Sequence, residues 1–72
     1  MAEIVDARGL SCPEPVLLTL EAIKRLGKGE LEILVDTDTS KENVSRAANS
    51  MGWQISELIK EESFYRIRIK KD

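Results

Sequence analysis

The chain has 72 residues, of which 42% are hydrophobic and 33% are charged, and its formal net charge is −2. A chain of this length makes one domain, residues 1–72, and buries only about 60% of its unfolded surface, which leaves no room for a deep cofactor pocket. One cysteine and no histidine exclude an internal disulfide, a zinc finger and any histidine-dependent dyad or triad. We therefore expect no metal and no cofactor, and any chemistry must come from Cys12 or from carboxylates.

The apolar runs are only a few residues long, as in residues 16–18. No segment is long enough to span a bilayer, and none resembles the apolar region of a secretory signal. The sequence therefore predicts a cytoplasmic protein that does not bind membranes. In that compartment a lone thiol stays reduced unless it reacts for a purpose.

The N-terminal third predicts a short strand followed by a helix. Residues 3–7 are rich in β-branched side chains and are followed by Arg8-Gly9. The helix start has two alternative registers: Ser11 with Glu14 at capping-box spacing, or Cys12 as the cap with a proline in the first helical position. In both registers Cys12 lies at the positive end of the helix.

The predicted first helix has an apolar stripe and ends at a glycine-rich turn, residues 27–29. Polar side chains such as Thr19 and Lys24 are expected mostly on other faces. Residues 31–35 alternate with the period of a strand, although Leu34 is an apolar residue on its polar side. The stripe consists of Val16, Leu17, Leu20, Ile23 and Leu26.

The second half predicts a helix and then a hairpin. Thr39 and Glu42 have capping-box spacing, after a polar turn that begins at Asp36. The apolar side of the helix comprises Val44, Ala47, Ala48 and Met51. Residues 53–59 alternate imperfectly, which indicates a strand with a bulge, and a tight connection leads to the last strand, residues 64–70.

The predicted order is strand, helix, strand, helix, strand, strand. Two amphipathic helices and a sheet with one apolar face bury their surfaces as a two-layer sandwich. We therefore predict an α/β (α+β) sandwich, βαβαββ, in which a mixed four-stranded sheet carries both helices on one face. The first two strands should be parallel and the last two should form an antiparallel hairpin.

Cys12 is the candidate reactive residue. A helix N-terminus favours the thiolate, and Arg8 is a candidate for electrostatic support. Glu14 opposes this effect with its negative charge, and the prolines at 13 and 15 remove N–H groups that would otherwise face the sulfur. The alternative is that Cys12 is a small buried hydrophobic residue, the usual fate of a free cysteine. Its place in a proline-stiffened turn, before the apolar stripe begins, favours an exposed thiol.

Residues 6–16, Asp-Ala-Arg-Gly-Leu-Ser-Cys-Pro-Glu-Pro-Val, resemble the signature of the TusA family, also called SirA-like or YedF-like. The hallmark of that family is a CPxP motif that opens the first helix, preceded by Gly-Leu. Residues 35–44 resemble the turn between the second strand and the second helix of the same family. The similarity spans nearly the whole chain.

The resemblance implies a βαβαββ sulfur carrier rather than an independent enzyme. Cys12 would accept sulfane sulfur as a persulfide from a cysteine desulfurase or a rhodanese-like donor, and would pass it to a downstream acceptor protein, for example a DsrE-like one. Gly9, Pro13, Glu14 and Pro15 would shape the site. The sequence of a carrier does not encode the destination of the sulfur.

Two other functions fit the sequence. The first is a thiol-based redox or regulatory module that uses Cys12. The second is a small RNA-binding domain that uses Arg66, Arg68 and Lys70, which share one face of the last strand. Few aromatic residues and an acidic pI make nucleic acid the weaker choice, and the same row is a candidate surface for docking a protein partner.

Two further features have simple structural interpretations. Asp36 and Asp38 could be taken for metal ligands, but in a turn rich in Thr and Ser they are more simply turn and cap residues. Trp53 is expected in the core.

Overall fold

Two helices and four strands follow one another in the predicted order. The computed structural model describes residues 3–10 and 14–72. The elements in this part of the chain are β1 (Glu3–Asp6), α1 (Glu14–Leu26), β2 (Gly29–Val35), α2 (Asp38–Ser50), β3 (Gln54–Lys60) and β4 (Tyr65–Lys71). The βαβαββ order and the mixed two-layer arrangement are therefore confirmed.

The strands lie in the order β1-β2-β4-β3. β1 runs parallel to β2, whereas β4 is antiparallel to both β2 and β3. The last strand thus lies inside the sheet and its hairpin partner lies at the edge. This placement suits their side chains, because Ile67 and Ile69 of β4 are fully buried, while β3 carries mostly exposed residues.

The core lies between the helices and one face of the sheet. Alternate residues of β2 and β4 point into it, as the period of a half-buried strand requires. Small residues of the helices, such as Ala22 and Ala48, complete it. The buried hydrophobic residues are Ala7, Ala22, Ile23, Leu31, Ile33, Val35, Val44, Ala48, Trp53, Ile67 and Ile69.

The buried side of α1 differs from the predicted stripe. Thr19 is fully buried, and its hydroxyl donates a 2.8 Å hydrogen bond to the carbonyl oxygen of Pro15. Leu17, in contrast, is 52% exposed. The expectation that Thr19 lies away from the core was wrong, because a threonine hydroxyl can be satisfied by the preceding turn of its own helix and its methyl group then packs like an apolar one.

The start of α2 also differs from the prediction. Thr37 is the N-cap, with an extended backbone at φ −132° and ψ 154°, and its hydroxyl accepts a 3.1 Å hydrogen bond from the N–H of Ser40. The predicted cap at Thr39 was therefore wrong, since the helix begins at Asp38 and Thr39 lies inside its first turn. Residue 37 leaves β2 in the extended conformation that an N-cap needs.

The irregular third strand contains the predicted bulge, which lies between Ile55 and Glu57. Trp53 precedes the strand and is 1% exposed, which confirms its place in the core. The backbone N–H of Trp53 donates to the carbonyl of Ala48 at 3.0 Å, so the end of α2 leads directly into the sheet. Within the described ranges, no helix is long and apolar enough to cross a membrane.

Candidate functional site

The loop that follows β1 leads into the CPxP segment. Cys12, Ser11 and Pro13 lie outside the described residues, and so do the alternative helix-cap registers predicted there. The surroundings of the segment are therefore built from the residues on either side of it. They lie at the end of the sheet where β1 and β2 both finish, and connect there to α1 and α2.

Two backbone contacts join the β1–α1 loop to β2 and to the residue after it. The N–H of Ala7 donates to the carbonyl of Leu34 at 2.8 Å, which extends the β1–β2 pairing by one step. The N–H of Gly9 donates to Oδ2 of Asp36 at 2.7 Å. Gly9 has a φ of +79°, a left-handed conformation that glycine adopts without strain. Gly9 therefore lies at the contact between the β1–α1 loop and the residue that follows β2.

Arg8 is held by a carboxylate of its own loop. Its Nε and Nη2 atoms each donate a 2.9 Å hydrogen bond to Asp6, and its backbone N–H donates to the same side chain at 3.1 Å. These contacts lower the pKa of Asp6 to about 2 and raise the pKa of Arg8. The guanidinium also lies 5.0 Å from the ring centroid of Phe64. Much of the positive charge of Arg8 is thus matched by Asp6 within the same loop.

The last two residues of the CPxP motif, Glu14 and Pro15, belong to α1. Glu14 is exposed, whereas the ring of Pro15 is buried and its carbonyl accepts the hydroxyl of Thr19. The first described turn of α1 is therefore anchored in the core on one side and presents a carboxylate to solvent on the other. An acidic side chain in this position interacts favourably with the helix dipole.

The β2–α2 turn contributes two carboxylates with separate partners. Asp36 accepts the Gly9 amide, and Asp38 accepts the hydroxyl of Tyr65. That hydroxyl lowers the pKa of Asp38, and the carboxylate in turn raises the pKa of Tyr65. Among the described residues there is no group of three or more His, Cys, Asp or Glu side chains that could hold a metal ion. Asp36 thus lies in the turn, as predicted, whereas Asp38 is the first residue of α2 and the helix cap is Thr37.

The basic row of β4 lies on the sheet face opposite the helices. Nη2 of Arg68 donates to Oε1 of Glu32 at 3.2 Å, its Nη1 donates to Glu57 at 3.1 Å, and Nη1 of Arg66 lies 3.8 Å from Glu32. Lys70 is exposed. Two of the three predicted docking residues are therefore already ion-paired within the protein, and the row presents less net positive charge than its sequence indicates.

Sequence reasoning did not predict three features of the structure: the contact of Phe64 with Arg8, the hydrogen bond of Tyr65 to Asp38, and the burial of Glu32. Glu32 is only 5% exposed, although strand alternation alone places it on the open face. The pairing of β2 with β4 sets Glu32 opposite Arg68 and Val35 opposite Tyr65. A local pattern cannot reveal these neighbours, because they depend on which strands pair.

An apolar groove lies between α1 and the end of α2. It has a volume of about 530 Å³ and is lined by Leu17, Leu20, Glu21, Lys24 and Met51. Leu17 is 52% exposed and Met51 is 41% exposed. This exposed apolar surface lies along the middle turns of α1 and at the C-cap of α2.

The family model described as Sulfurtransferase TusA matches residues 3–71. A relative in Methanocaldococcus jannaschii is 40% identical over 68 residues, which are 93% of this chain and 91% of the relative. The sulfur carrier protein TusA of Pseudomonas putida (strain W619) is 32% identical over 69 residues, 94% of this chain and 86% of that protein. The crystal structure of a SirA-like protein from Desulfitobacterium hafniense superimposes with a TM-score of 0.84 and 34% identity, covering 93% of each chain. The resemblance noted in the CPxP segment thus extends over sequence and fold, and the chain belongs to the TusA family of sulfur carrier proteins.

Proposed function

We propose that this chain accepts sulfane sulfur as a persulfide on Cys12 from a cysteine desulfurase or a rhodanese-like protein in the reducing cytoplasm. It then hands the sulfur to an acceptor protein, for example a DsrE-like one. The observation that carries this proposal is the match to the TusA family over residues 3–71, which includes the CPxP motif. Cys12 is the only cysteine of the chain and hence the only thiol that can carry the sulfur.

The transfer is an exchange reaction without net oxidation. The thiolate of Cys12 attacks the terminal sulfur of the donor persulfide, the donor S–S bond breaks, and the donor cysteine leaves as a thiolate. The new S–S bond on Cys12 is broken in the same way when an acceptor thiolate attacks its outer sulfur. Such exchange depends on thiolate nucleophilicity, leaving group and access. It therefore needs no histidine in the carrier.

The described surroundings support a role in protein-to-protein transfer. The apolar groove offers a partner an exposed hydrophobic surface along the middle of α1, and such surfaces commonly mark protein contacts. Gly9, Pro13, Glu14 and Pro15 shape the approach to Cys12 in this proposal. Arg8 gives secondary electrostatic support, reduced by its pairing with Asp6.

The test is sulfur loading of the purified chain. Incubation with a cysteine desulfurase and isotopically labelled cysteine should add one sulfur atom, located on Cys12 by mass spectrometry of peptides. The Cys12→Ser variant should take up none. A rhodanese-like donor supplied with labelled thiosulfate tests the other donor class, and lack of transfer from both would overturn the proposal.

The same protein isolated from cells distinguishes persulfide transfer from a redox or regulatory role. A carrier should contain labelled persulfide on Cys12, and the labelled sulfur should leave Cys12 when a thiol acceptor is added. A redox module should instead carry glutathione or a sulfenic acid on Cys12, and finding only those forms would contradict sulfur transfer.

An RNA-binding function predicts an affinity for RNA that falls with rising salt concentration. Cys12→Ser should leave that affinity unchanged, whereas neutralisation of Arg66, Arg68 and Lys70 should abolish it.

A further inference from the structure

We propose that Asp36 is a positioning residue for the CPxP segment: its carboxylate holds the Gly9 amide and thereby sets the reactivity of Cys12. This inference rests on the proposed function, since it concerns the same cysteine. Asp36 lies 27 residues from Gly9 in the sequence and outside the motif. Its contribution is a contact between two loops rather than a property of the CPxP segment itself.

The Gly9–Asp36 contact has the geometry of a strong hydrogen bond. The N–H···O distance is 2.7 Å and the acceptor is an ionised carboxylate, a combination that is shorter and stronger than a bond between neutral groups. The neighbouring bond from Ala7 to Leu34 aligns the same two segments. Together they fasten the loop to the end of β2 at two successive points.

Gly9 makes the loop dependent on this bond. A Cβ atom at residue 9 would meet nothing within 4 Å, so space does not require glycine there. What requires it is the left-handed backbone at φ +79°. Glycine has the greatest backbone freedom of all residues, so an outside contact narrows the range of conformations that this turn samples. The Asp36 carboxylate supplies that contact.

The position of Gly9 matters because only Leu10 and Ser11 separate it from Cys12. Leu10 is partly buried and packs against the core cluster, and Pro15 is buried on the other side of the motif. The CPxP segment is thus joined to anchored chain on both sides. Loss of the Asp36 bond would leave the left-handed turn at Gly9 held only through its packed neighbours Ala7 and Leu10 and through Pro15 beyond the motif.

Two substitutions separate the hydrogen bond from the charge. Asp36→Asn and Asp36→Ala both remove the negative charge, but only asparagine keeps a carbonyl oxygen that can accept the Gly9 N–H. The test measures two quantities in each variant: the rate of hydrogen exchange at the Gly9 amide, and the rate at which iodoacetamide alkylates Cys12 as a function of pH. Glu42→Ala, which removes an exposed carboxylate of α2, is the control for charge elsewhere on the protein.

In the alanine variant we expect Gly9 exchange to be about tenfold faster, since a hydrogen bond to a charged group is lost. We also expect its alkylation profile to shift from that of the wild type. The asparagine variant keeps a weaker, uncharged acceptor and should lie between the wild type and the alanine variant, while Glu42→Ala should stay close to the wild type. If Asp36→Asn and Asp36→Ala behave alike, or if neither differs from wild type, the positioning role is overturned. Circular dichroism verifies folding, and Asp36→Ser, whose hydroxyl reaches less far, replaces alanine if that variant does not fold.

Sulfur loading separates this inference from the proposed function. If wild type takes up no sulfur from either donor class, the proposed function fails. If wild type is loaded and Asp36→Ala is loaded at the same rate, the function stands and the positioning role fails. The expected result is loading of the wild type and of Asp36→Asn, with a several-fold slower rate in Asp36→Ala.

Discussion

Oε1 of Glu32, buried on the open face of the sheet, accepts a 3.2 Å hydrogen bond from Nη2 of Arg68 on the neighbouring strand. The two residues are register partners in the β2–β4 pairing. Because Arg66 also lies near the same carboxylate, one buried acid serves two arginines. The open face is therefore a network of opposite charges rather than a basic surface.

Removing that shared acid should destabilise the fold. Glu32→Ala leaves two partly buried guanidinium groups without their common partner, and we expect the free energy of unfolding to fall by about 2 kcal/mol. Urea denaturation followed by circular dichroism measures it. Glu30→Ala, at an exposed position two residues earlier on the same strand, should change stability by less than about 0.5 kcal/mol. Equal effects of the two substitutions would contradict a special role for Glu32.

The Asp6–Arg8 pair should contribute to acid sensitivity. The hydrogen bonds from Arg8 hold the pKa of Asp6 at about 2, below its ordinary value of 3.8. A depressed carboxyl pKa stabilises the folded state above the unfolded pKa, and this contribution disappears as the pH falls from about 4 through 2. NMR titration of the Asp6 carboxyl should show this low pKa, and Arg8→Gln should return it towards 3.8.

Arg46→Gln is the matched control for that titration, because it removes an exposed arginine from α2. It should leave the Asp6 titration unchanged. If Arg8→Gln also leaves it unchanged, the ion pair is not the cause of the low pKa.

The Tyr65–Asp38 hydrogen bond should be visible in the titration of the only tyrosine in the chain. The Asp38 carboxylate raises the pKa of Tyr65 above 10.0, so this contribution to stability is present below pH 10 and is lost as the pH rises through the raised pKa. Ultraviolet difference absorbance measures tyrosinate directly. Asp38→Asn should lower the pKa of Tyr65, whereas Glu42→Gln on the same helix should not; an unchanged value in Asp38→Asn would contradict the bond.

Conversely, Tyr65→Phe should raise the pKa of Asp38, since the hydroxyl that lowers it is gone. The stabilising contribution of Asp38 lies above its unfolded pKa near 4 and is lost as the pH falls through the lowered value. NMR titration of Asp38 in the two proteins tests this. If the pKa of Asp38 is the same in Tyr65→Phe as in the wild type, another group such as Lys41 causes its shift.

The N-cap of α2 gives a test with its control two residues away. Thr37→Ala removes the hydroxyl that accepts the Ser40 N–H and should cost about 1 kcal/mol of unfolding free energy. Thr39→Ala lies inside the first helical turn and should change stability by less than about 0.5 kcal/mol. A larger loss from Thr39→Ala would reinstate the cap that the sequence spacing predicted.

Particular residues show which features of the fold could be predicted from the sequence. Strand alternation in residues 31–35, the glycine-rich end of α1 and the bulge near Ile55 are local signals, and the structure confirms each of them. The helical spacing of apolar residues predicted the wrong burial for two residues of α1, since Thr19 is buried and Leu17 is exposed. A period of 3.6 residues leaves several faces of similar hydrophobicity, and packing against α2 and the sheet chose among them.

By itself the sequence determined the order of elements, the parallel first pair, the final hairpin and the family signature around Cys12, because these depend on neighbours in the chain. Only the tertiary structure decided that β4 lies between β2 and β3. That pairing buries Glu32 beneath the arginines and brings Tyr65 to Asp38, while the parallel β1–β2 pair brings Gly9 to Asp36. These contacts join residues far apart in sequence, and they form because the apolar strands pair where they bury the most surface.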